Sequence, residues 1–238
     1  MPAVADLALQ MLRCVEVLLA FIIPAVLVLL PVRLFTKVPS FVFRKLLHVV
    51  AFTCVSLMIL FTVSWQAAAA TSVVFALVIY PLLGIIEPMS WYGTLFVQKE
   101  PGEIRQSLLM LFFMFAGVIT VSWGIFGRPD CAAAAILMWG TGDAAAALVG
   151  TPLGKHKVNP PLSDGKKSWE GTLAMLATSF ACGAILLVGV HGMRPEQALP
   201  AVAAGAVVGA ATELVTPSKY DTVSVPVAVL AVLLVFLG

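Results

Sequence analysis

An acidic side chain, Asp143, stands inside an apolar, alanine-rich stretch of the chain, and a lysine-rich loop follows it. An Asp at the centre of a membrane-spanning helix costs about 2.5–3.5 kcal/mol on insertion scales, so it requires a basic side chain, a metal ion or a water-filled cavity beside it. A packing ion pair is one interpretation. The glycines and alanines around Asp143, with Gly142, Ala146 and Gly150 spaced by four, favour a functional site to which a second helix approaches closely.

A second acid repeats this arrangement near the C-terminus. Gly205, Gly209 and Glu213 are spaced by four, so one helical face carries small residues and then a carboxylate. Such glycine spacing alone usually means helix packing. Carboxylates at one depth, bordered by basic loops, suit Mg²⁺ or another divalent cation carrying a nucleotide phosphate chain. Two or three carboxylates near one point could therefore hold such a cation.

The basic loop contains the stretch "SDGKKSWEGT", residues 163–172. It is not a P-loop, because Pro160 and Lys167 stand where the GxxxxGK[ST] pattern requires Gly and Ser or Thr. Ser168 is typical of a helix N-cap, and the N–H groups of the helix start could bind an anion beside the lysines. The alternative is a topology signal that contacts anionic lipid.

Two further segments carry charge into apolar stretches. In "FRKLLH", Arg44 and His48 share one helical face and predict a phosphate contact or a proton acceptor; a satisfied interfacial histidine is the alternative. In "EPGEIRQS", Glu103 and Arg105 indicate either a loop that lines the same pocket or a solvated turn.

The composition identifies the elements that position these residues. Hydrophobic residues make up 61% of the 238 residues and charged residues 11%, against about 25% charged in soluble domains. The mean hydropathy is +1.05. We predict an all-α, polytopic integral membrane protein of one transmembrane domain, residues 1–238, whose first span is retained rather than cleaved. The eight candidate spans are 15–32, 46–64, 67–86, 107–126, 130–150, 172–190, 198–214 and 222–238.

The distribution of basic residues predicts the orientation. Of the 14 Lys and Arg residues, all but Arg13, Arg128 and Arg194 lie in the loops after spans 1, 3, 5 and 7. Because cytoplasmic loops are enriched in Lys and Arg, these loops are predicted to be cytoplasmic and both termini to face outside. The acids and the lysine loop then converge on the cytoplasmic face. The four cysteines show no metal or disulfide spacing and are expected to be apolar helix residues.

Three segments together carry a family resemblance: "RKLLH", "GDAAAALVGTPLGKHK" with "SDGKKSWEGT", and "ELVTPSKYDTVSVP". They resemble the membrane family of dolichol kinase, phytol kinase and CTP-dependent diacylglycerol kinase, which is distantly related to phosphatidate cytidylyltransferase. The resemblance covers about residues 43–226 and implies transfer of the γ-phosphate of CTP to a lipid alcohol with a divalent metal. The family often has Asn after the last Asp, where Thr222 stands here.

The resemblance also implies roles for individual residues. Asp143, His48 and Glu213 are expected to be catalytic, and Asp143, Glu213 and Asp221 to bind the metal. The residues expected to bind the nucleotide are Arg44, Lys45, Lys155, Lys166, Lys167, Ser168, Glu170, Gly171 and Thr172.

Two other function classes stay open at this point. One is a cytidylyltransferase acting on phosphatidate, whose bacterial signature the chain lacks, and the other is a transporter or scaffold, for which no inverted repeat is seen. The expected partners are CTP, a lipid alcohol and membrane lipid, with no nucleic acid. Self-association into a homo-oligomer is left open.

Overall fold

The computed structural model describes residues 2–95, 98, 100–158, 165, 167–218 and 220–238. The chain divides into two compact units, Met1–Thr120 and Val121–Gly238, and each is described by itself. The single transmembrane domain that the sequence predicts stays a prediction.

Unit 1 consists of apolar helices joined by short turns. They are α1 (Pro2–Phe35), α2 (Ser40–Phe61), α3 (Trp65–Ile86), the one-turn α4 (Tyr92–Leu95) and α5 (Glu103–Ile119). The ring of Phe52 on α2 meets Phe115 on α5 edge-on, with 5.0 Å between the ring centroids. This aromatic contact joins two buried side chains in the core of unit 1.

Unit 2 contains the helices that carry most of the predicted site. Their bounds are α6 (Pro129–Leu153), α7 (Trp169–Ala184), α8 (Pro195–Val215) and α9 (Asp221–Leu237). Two π-helical segments, Thr120–Ile125 and Ile185–Val190, continue α5 and α7. The most buried helix is α6, since every residue from Asp130 to Ile136 is buried.

The described residues confirm the predicted fold class. Seven of their helices are long and apolar enough to cross a membrane, and α9, with 17 residues, is a shorter apolar helix. Each of the eight predicted spans coincides with one of these helices. The structure differs mainly in α1, which begins at Pro2 rather than near residue 15, and in α4, which was not predicted.

Small residues let α6 and α7 pack closely, as the spacing by four predicts. A side chain added at Gly142 would overlap the hydroxyl of Ser179, and one added at Gly150 would lie 3.2 Å from the Cα of Gly171. The Ser179 hydroxyl donates a 2.8 Å hydrogen bond to the Met138 carbonyl. The later residue on α6, Gly150, meets the earlier residue on α7, Gly171, so the two helices are antiparallel. The end of α6 therefore lies beside the start of α7.

A similar contact joins α8 and α9. A Cβ added at Gly209 would lie 2.7 Å from Val229, and one added at Gly205 would lie 3.7 Å from Leu233. The end of α8 is thereby placed beside the start of α9. We call the end of unit 2 that holds Leu153, Trp169, Val215 and Asp221 the loop end.

Candidate functional site

The loop end is held together by backbone pairing across the lysine-rich loop. Lys157 and Ser168 form an isolated antiparallel bridge. The Val158 N–H donates to the Lys167 carbonyl at 3.0 Å, and the Trp169 N–H donates to the His156 carbonyl at 3.1 Å. The residues on either side of the loop are therefore fixed next to the first turn of α7.

This pairing directs Lys167 inward, towards two carboxylates. Its Nζ donates a short hydrogen bond to Glu213 Oε1 and lies 3.4 Å from Asp221 Oδ2. The Lys167 and Glu213 side chains are each 8% exposed, and the Asp221 side chain is 20% exposed. One ammonium is thus shared by carboxylates from the end of α8 and the start of α9.

The two acids keep Lys167 charged despite its burial. Burial lowers the pKa of the Lys167 ammonium, but the charges of Glu213 and Asp221 and their hydrogen bonds raise it, and the net pKa lies above its ordinary value. The loop end consequently contains a buried, ionised cluster of two acids and one base. Removal of one partner from such a buried cluster lowers the stability of the protein, because the remaining charge stays desolvated without a counter-charge.

Ser168 is the N-cap of α7, as the sequence predicts. Its side chain accepts a 3.3 Å hydrogen bond from the Gly171 N–H, and the Thr172 hydroxyl donates to the Ser168 carbonyl at 3.1 Å. Ser168 and Thr172 are buried, and Gly171 packs on α6, where an added Cβ would lie 2.9 Å from the Ala146 carbonyl. Because the N–H groups of Trp169 and Gly171 are already used, this helix start has less capacity for phosphate than the sequence indicated.

Glu170 binds His156, which lies at the start of the lysine-rich loop. Its carboxylate accepts hydrogen bonds from the His156 N–H at 3.2 and 3.3 Å, and Oε1 lies 2.7 Å from His156 Nδ1. Sequence reasoning missed His156, because a histidine fourteen residues from its acid leaves no local signal. The nearby Lys155 is exposed, and Lys166 lies outside the described residues. The nucleotide contacts expected of Lys155, Lys166, Glu170 and Thr172 stay predictions.

Asp143 lies half-buried on α6, ten residues before the end of the helix at Leu153. The neighbouring Gly142 packs against α7. No group of three or more His, Cys, Asp and Glu side chains that could hold a metal ion occurs within the described part of the chain. The three-ligand site of Asp143, Glu213 and Asp221 stays a prediction.

Two of the three predicted metal ligands nevertheless suit a cation. Glu213 and Asp221 are close enough to share the Lys167 ammonium, and both are mostly removed from solvent. Carboxylate oxygens are the ligands that Mg²⁺ prefers. The observed donor set therefore fits one divalent cation held by two carboxylates.

The first motif lies in unit 1. Arg44 Nη1 lies 3.2 Å from Glu103 Oε1, and both side chains are partly exposed. Lys45 is half-buried, and the His48 ring lies 5.1 Å from the Phe52 ring, measured between centroids. The pairing of Arg44 with Glu103 places the starts of α2 and α5 together, and the phosphate and proton roles of Arg44, Lys45 and His48 stay predictions.

The loop before α5 contains a polar cluster that the sequence described only as a pocket lining or a solvated turn. Glu87 accepts a 2.6 Å hydrogen bond from Gln98 Nε2 and another from the Gly102 N–H, and its Oε2 lies 3.6 Å from Arg105 Nε. Gly102 adopts φ +82°, and the Arg105 guanidinium lies over the Tyr80 ring. Glu87 thus stabilises the conformation of this loop within unit 1. A fully solvated turn would not make these contacts.

The opposite end of α6 carries an acid with a different partner. Asp130 Oδ2 lies 2.6 Å from Arg128 Nη2, and Asp130 Oδ1 accepts a 3.0 Å hydrogen bond from Arg128 Nε. This bidentate pair raises the pKa of the Arg128 guanidinium. Asp130 was not singled out from the sequence, although an Arg two residues before an Asp at a helix start is a recognisable signal.

Comparison with known proteins gives one informative similarity. The chain is 34% identical over 125 residues to the phytol kinase of Synechocystis sp., which corresponds to 51% of this chain and 52% of that protein. The chain thus aligns with about half the length of this curated relative. No protein-family model matches the chain, and no solved structure matches it significantly.

Proposed function

We propose that this protein is a CTP-dependent kinase that transfers a phosphoryl group to a membrane lipid alcohol, at the cytoplasmic face of the membrane. The acceptor belongs to the polyprenol and dolichol, phytol-like or diacylglycerol class. The observation that carries the proposal is the buried cluster of Lys167, Glu213 and Asp221 at one end of four apolar helices. The similarity to a phytol kinase over about half the chain supports it.

The reaction assigns separate tasks to the cluster and the loop. A divalent cation supplies charge neutralisation for the phosphate chain when it is bound. Glu213 and Asp221 hold that cation, and Lys155, Lys166 and Lys167 bind the phosphates of CTP. Phosphoryl transfer depends mostly on positioning and on the neutralisation of charge, and both are tasks that these side chains can perform.

The acceptor enters from the lipid, with its hydroxyl at the depth of the headgroups. The hydroxyl oxygen forms a bond to the γ-phosphorus, the bond from that phosphorus to the β–γ bridging oxygen breaks, and CDP leaves. The hydroxyl proton passes to a general base, for which Asp143 is the candidate within unit 2. The exposed apolar residues of the spanning helices are consistent with a substrate that never leaves the membrane.

The test is the fate of the γ-phosphate. Purified protein is incubated with Mg²⁺, γ-labelled CTP and phytol, a polyprenol or diacylglycerol. The label is expected in the lipid product, with CDP released.

A parallel reaction with α-labelled CTP and phosphatidate separates the alternative. A cytidylyltransferase would place the α-label in a CDP-lipid and release pyrophosphate, which would refute the kinase proposal. Failure of both labels to reach any lipid, together with no binding of CTP, would favour a non-enzymatic role.

A further inference from the structure

Lys167 stands where the proposed cation has to bind. Its ammonium contacts Glu213 and Asp221, and these are the two carboxylates that the proposed function assigns to the metal. An ammonium and a divalent cation compete for the same carboxylate oxygens. Lys167 therefore supplies a cation from the chain itself at this position.

The backbone around Lys167 restricts what can move. The Lys167 carbonyl accepts a hydrogen bond from the Val158 N–H, and the next residue, Ser168, caps α7. The ammonium, by contrast, sits at the end of a flexible four-carbon stem. A rotation of the side chain is enough to remove the ammonium from the carboxylates while α7 and its cap stay in place.

We propose that Lys167 acts as a tethered counter-ion. It neutralises Glu213 and Asp221 in the absence of ligand, and it is displaced when a divalent cation arrives with the nucleotide. The freed ammonium then binds a phosphate oxygen of that nucleotide. The contact is thus autoinhibitory towards the metal alone, so metal and nucleotide bind cooperatively. This inference rests on the proposed function.

The exchange has a physical reason. Two buried carboxylates without a cation are costly, so Lys167 stabilises the empty site. A divalent cation offers twice the charge of the ammonium, but alone it must displace a lysine that is bound to both carboxylates. The phosphate chain offers the displaced ammonium a new partner, because charge-assisted hydrogen bonds from an ammonium to phosphate are strong.

The first test measures binding of Mn²⁺, as a probe for the divalent cation, to purified protein without nucleotide. Lys167→Met removes the competing charge and keeps much of the side-chain volume. Loss of one charge-assisted contact corresponds to about a ten- to a hundredfold change, so this variant is expected to bind Mn²⁺ tighter than wild type by that factor. Lys157→Met is the matched control, because Lys157 is exposed in the same loop, and its Mn²⁺ affinity is expected to stay at the wild-type value.

The second test uses the wild-type protein and does not depend on the folding of a variant. An amine-reactive reagent is expected to modify Lys167 slowly without metal and faster at saturating Mn²⁺ without nucleotide, because the metal then displaces the ammonium and no phosphate is present to bind it. The exposed Lys157 is expected to react at the same rate in both conditions. Unchanged labelling of Lys167 would overturn the proposal. Equal or weaker Mn²⁺ binding by Lys167→Met than by wild type would also overturn it.

These outcomes are separate from failure of the proposed function, which is decided by transfer of the γ-label to lipid by the wild-type protein. If wild type transfers the label and Lys167 neither competes with metal nor changes its labelling, only the counter-ion role is wrong. If Lys167 behaves as proposed and no label is transferred, the cluster binds metal and nucleotide for a different purpose.

Discussion

At the scale of single residues, two aspartates on α6 have contrasting surroundings. Asp130, in the first turn, is buried and bound through both carboxylate oxygens to Arg128. Asp143, ten residues before the other end, is half-buried among small residues that pack against α7. The geometry therefore assigns Asp130 to stability, and our proposal assigns Asp143 to catalysis.

The substitutions Asp143→Asn and Asp130→Asn test this contrast. Asp143→Asn preserves shape and removes the carboxylate that we propose as the general base. A loss of several kcal/mol of transition-state stabilisation lowers turnover by more than about a hundredfold. We expect this drop in the rate of label transfer, with normal yield and thermal stability.

Asp130→Asn is the control with the opposite phenotype. It breaks a charged, bidentate pair, so about 1.5–3 kcal/mol of stability is lost, while the folded fraction keeps its turnover. Thermal unfolding in detergent and the rate per folded molecule measure the two effects. If Asp143→Asn unfolds and retains turnover instead, Asp143 is a packing residue.

At the scale of helices, close packing of α6 on α7 positions the loop end. Gly142 illustrates the constraint, because a methyl group there would overlap the Ser179 hydroxyl and lie 3.0 Å from Met175. We expect Gly142→Ala to destabilise the protein by about 1–3 kcal/mol, the usual cost of overpacking. Thermal unfolding measures this loss of stability. The rate of label transfer is also expected to fall, since α6 carries Asp143 and α7 begins at the Ser168 cap.

Gly117→Ala is the matched control for this substitution. Gly117 lies inside α5, and nothing stands within 4 Å of a Cβ added there. Alanine has the higher helix propensity, so this variant is expected to be as stable as wild type or up to about 1 kcal/mol more stable. A similar loss of stability in both variants would show that Gly142 is not a close helix contact.

The helices themselves were predictable from the sequence, whereas the partners of their charged residues were not. Long apolar runs and small residues four apart identified the spans and the packing face of α6, because both follow from local periodicity. From the sequence we predicted that Lys167 binds phosphate and that Glu213 and Asp221 bind the metal. It did not predict that the lysine binds both acids, since that contact joins residues 46 and 54 positions apart.

At the scale of the whole molecule, the orientation in the membrane stays a prediction from the charge distribution. Within unit 2, the residues around Lys157 and Arg194 lie at opposite ends of α7, as the predicted topology requires. Single cysteines introduced beside these two residues, in a background without the four native cysteines, should react with an impermeant thiol reagent from opposite sides of sealed vesicles. Reaction of both from the same side would contradict the span count and the shared cytoplasmic face.

The sequence could not predict the division into two units. The first motif, with Arg44 and His48, belongs to one unit, and the acids and the lysine loop belong to the other. Periodicity and charge bias report on each span separately, and neither contains information about how spans group. Inside each unit a basic side chain pairs with an acid from another part of the chain, Arg44 with Glu103 and Lys167 with Glu213. The convergence of all these residues on one face of the membrane stays a prediction.

The central claim is that the loop end of unit 2 performs phosphoryl transfer, and two glutamates on α8 test it most directly. Glu213 is buried at the loop end, and Glu196 is exposed in the first turn at the other end of the same helix. The measurement is the rate of γ-phosphate transfer from CTP to phytol by purified Glu213→Gln and Glu196→Gln. The account predicts a fall of more than about a hundredfold for Glu213→Gln, because a ligand charge is lost, and a wild-type rate for Glu196→Gln. Wild-type transfer by folded Glu213→Gln would contradict it.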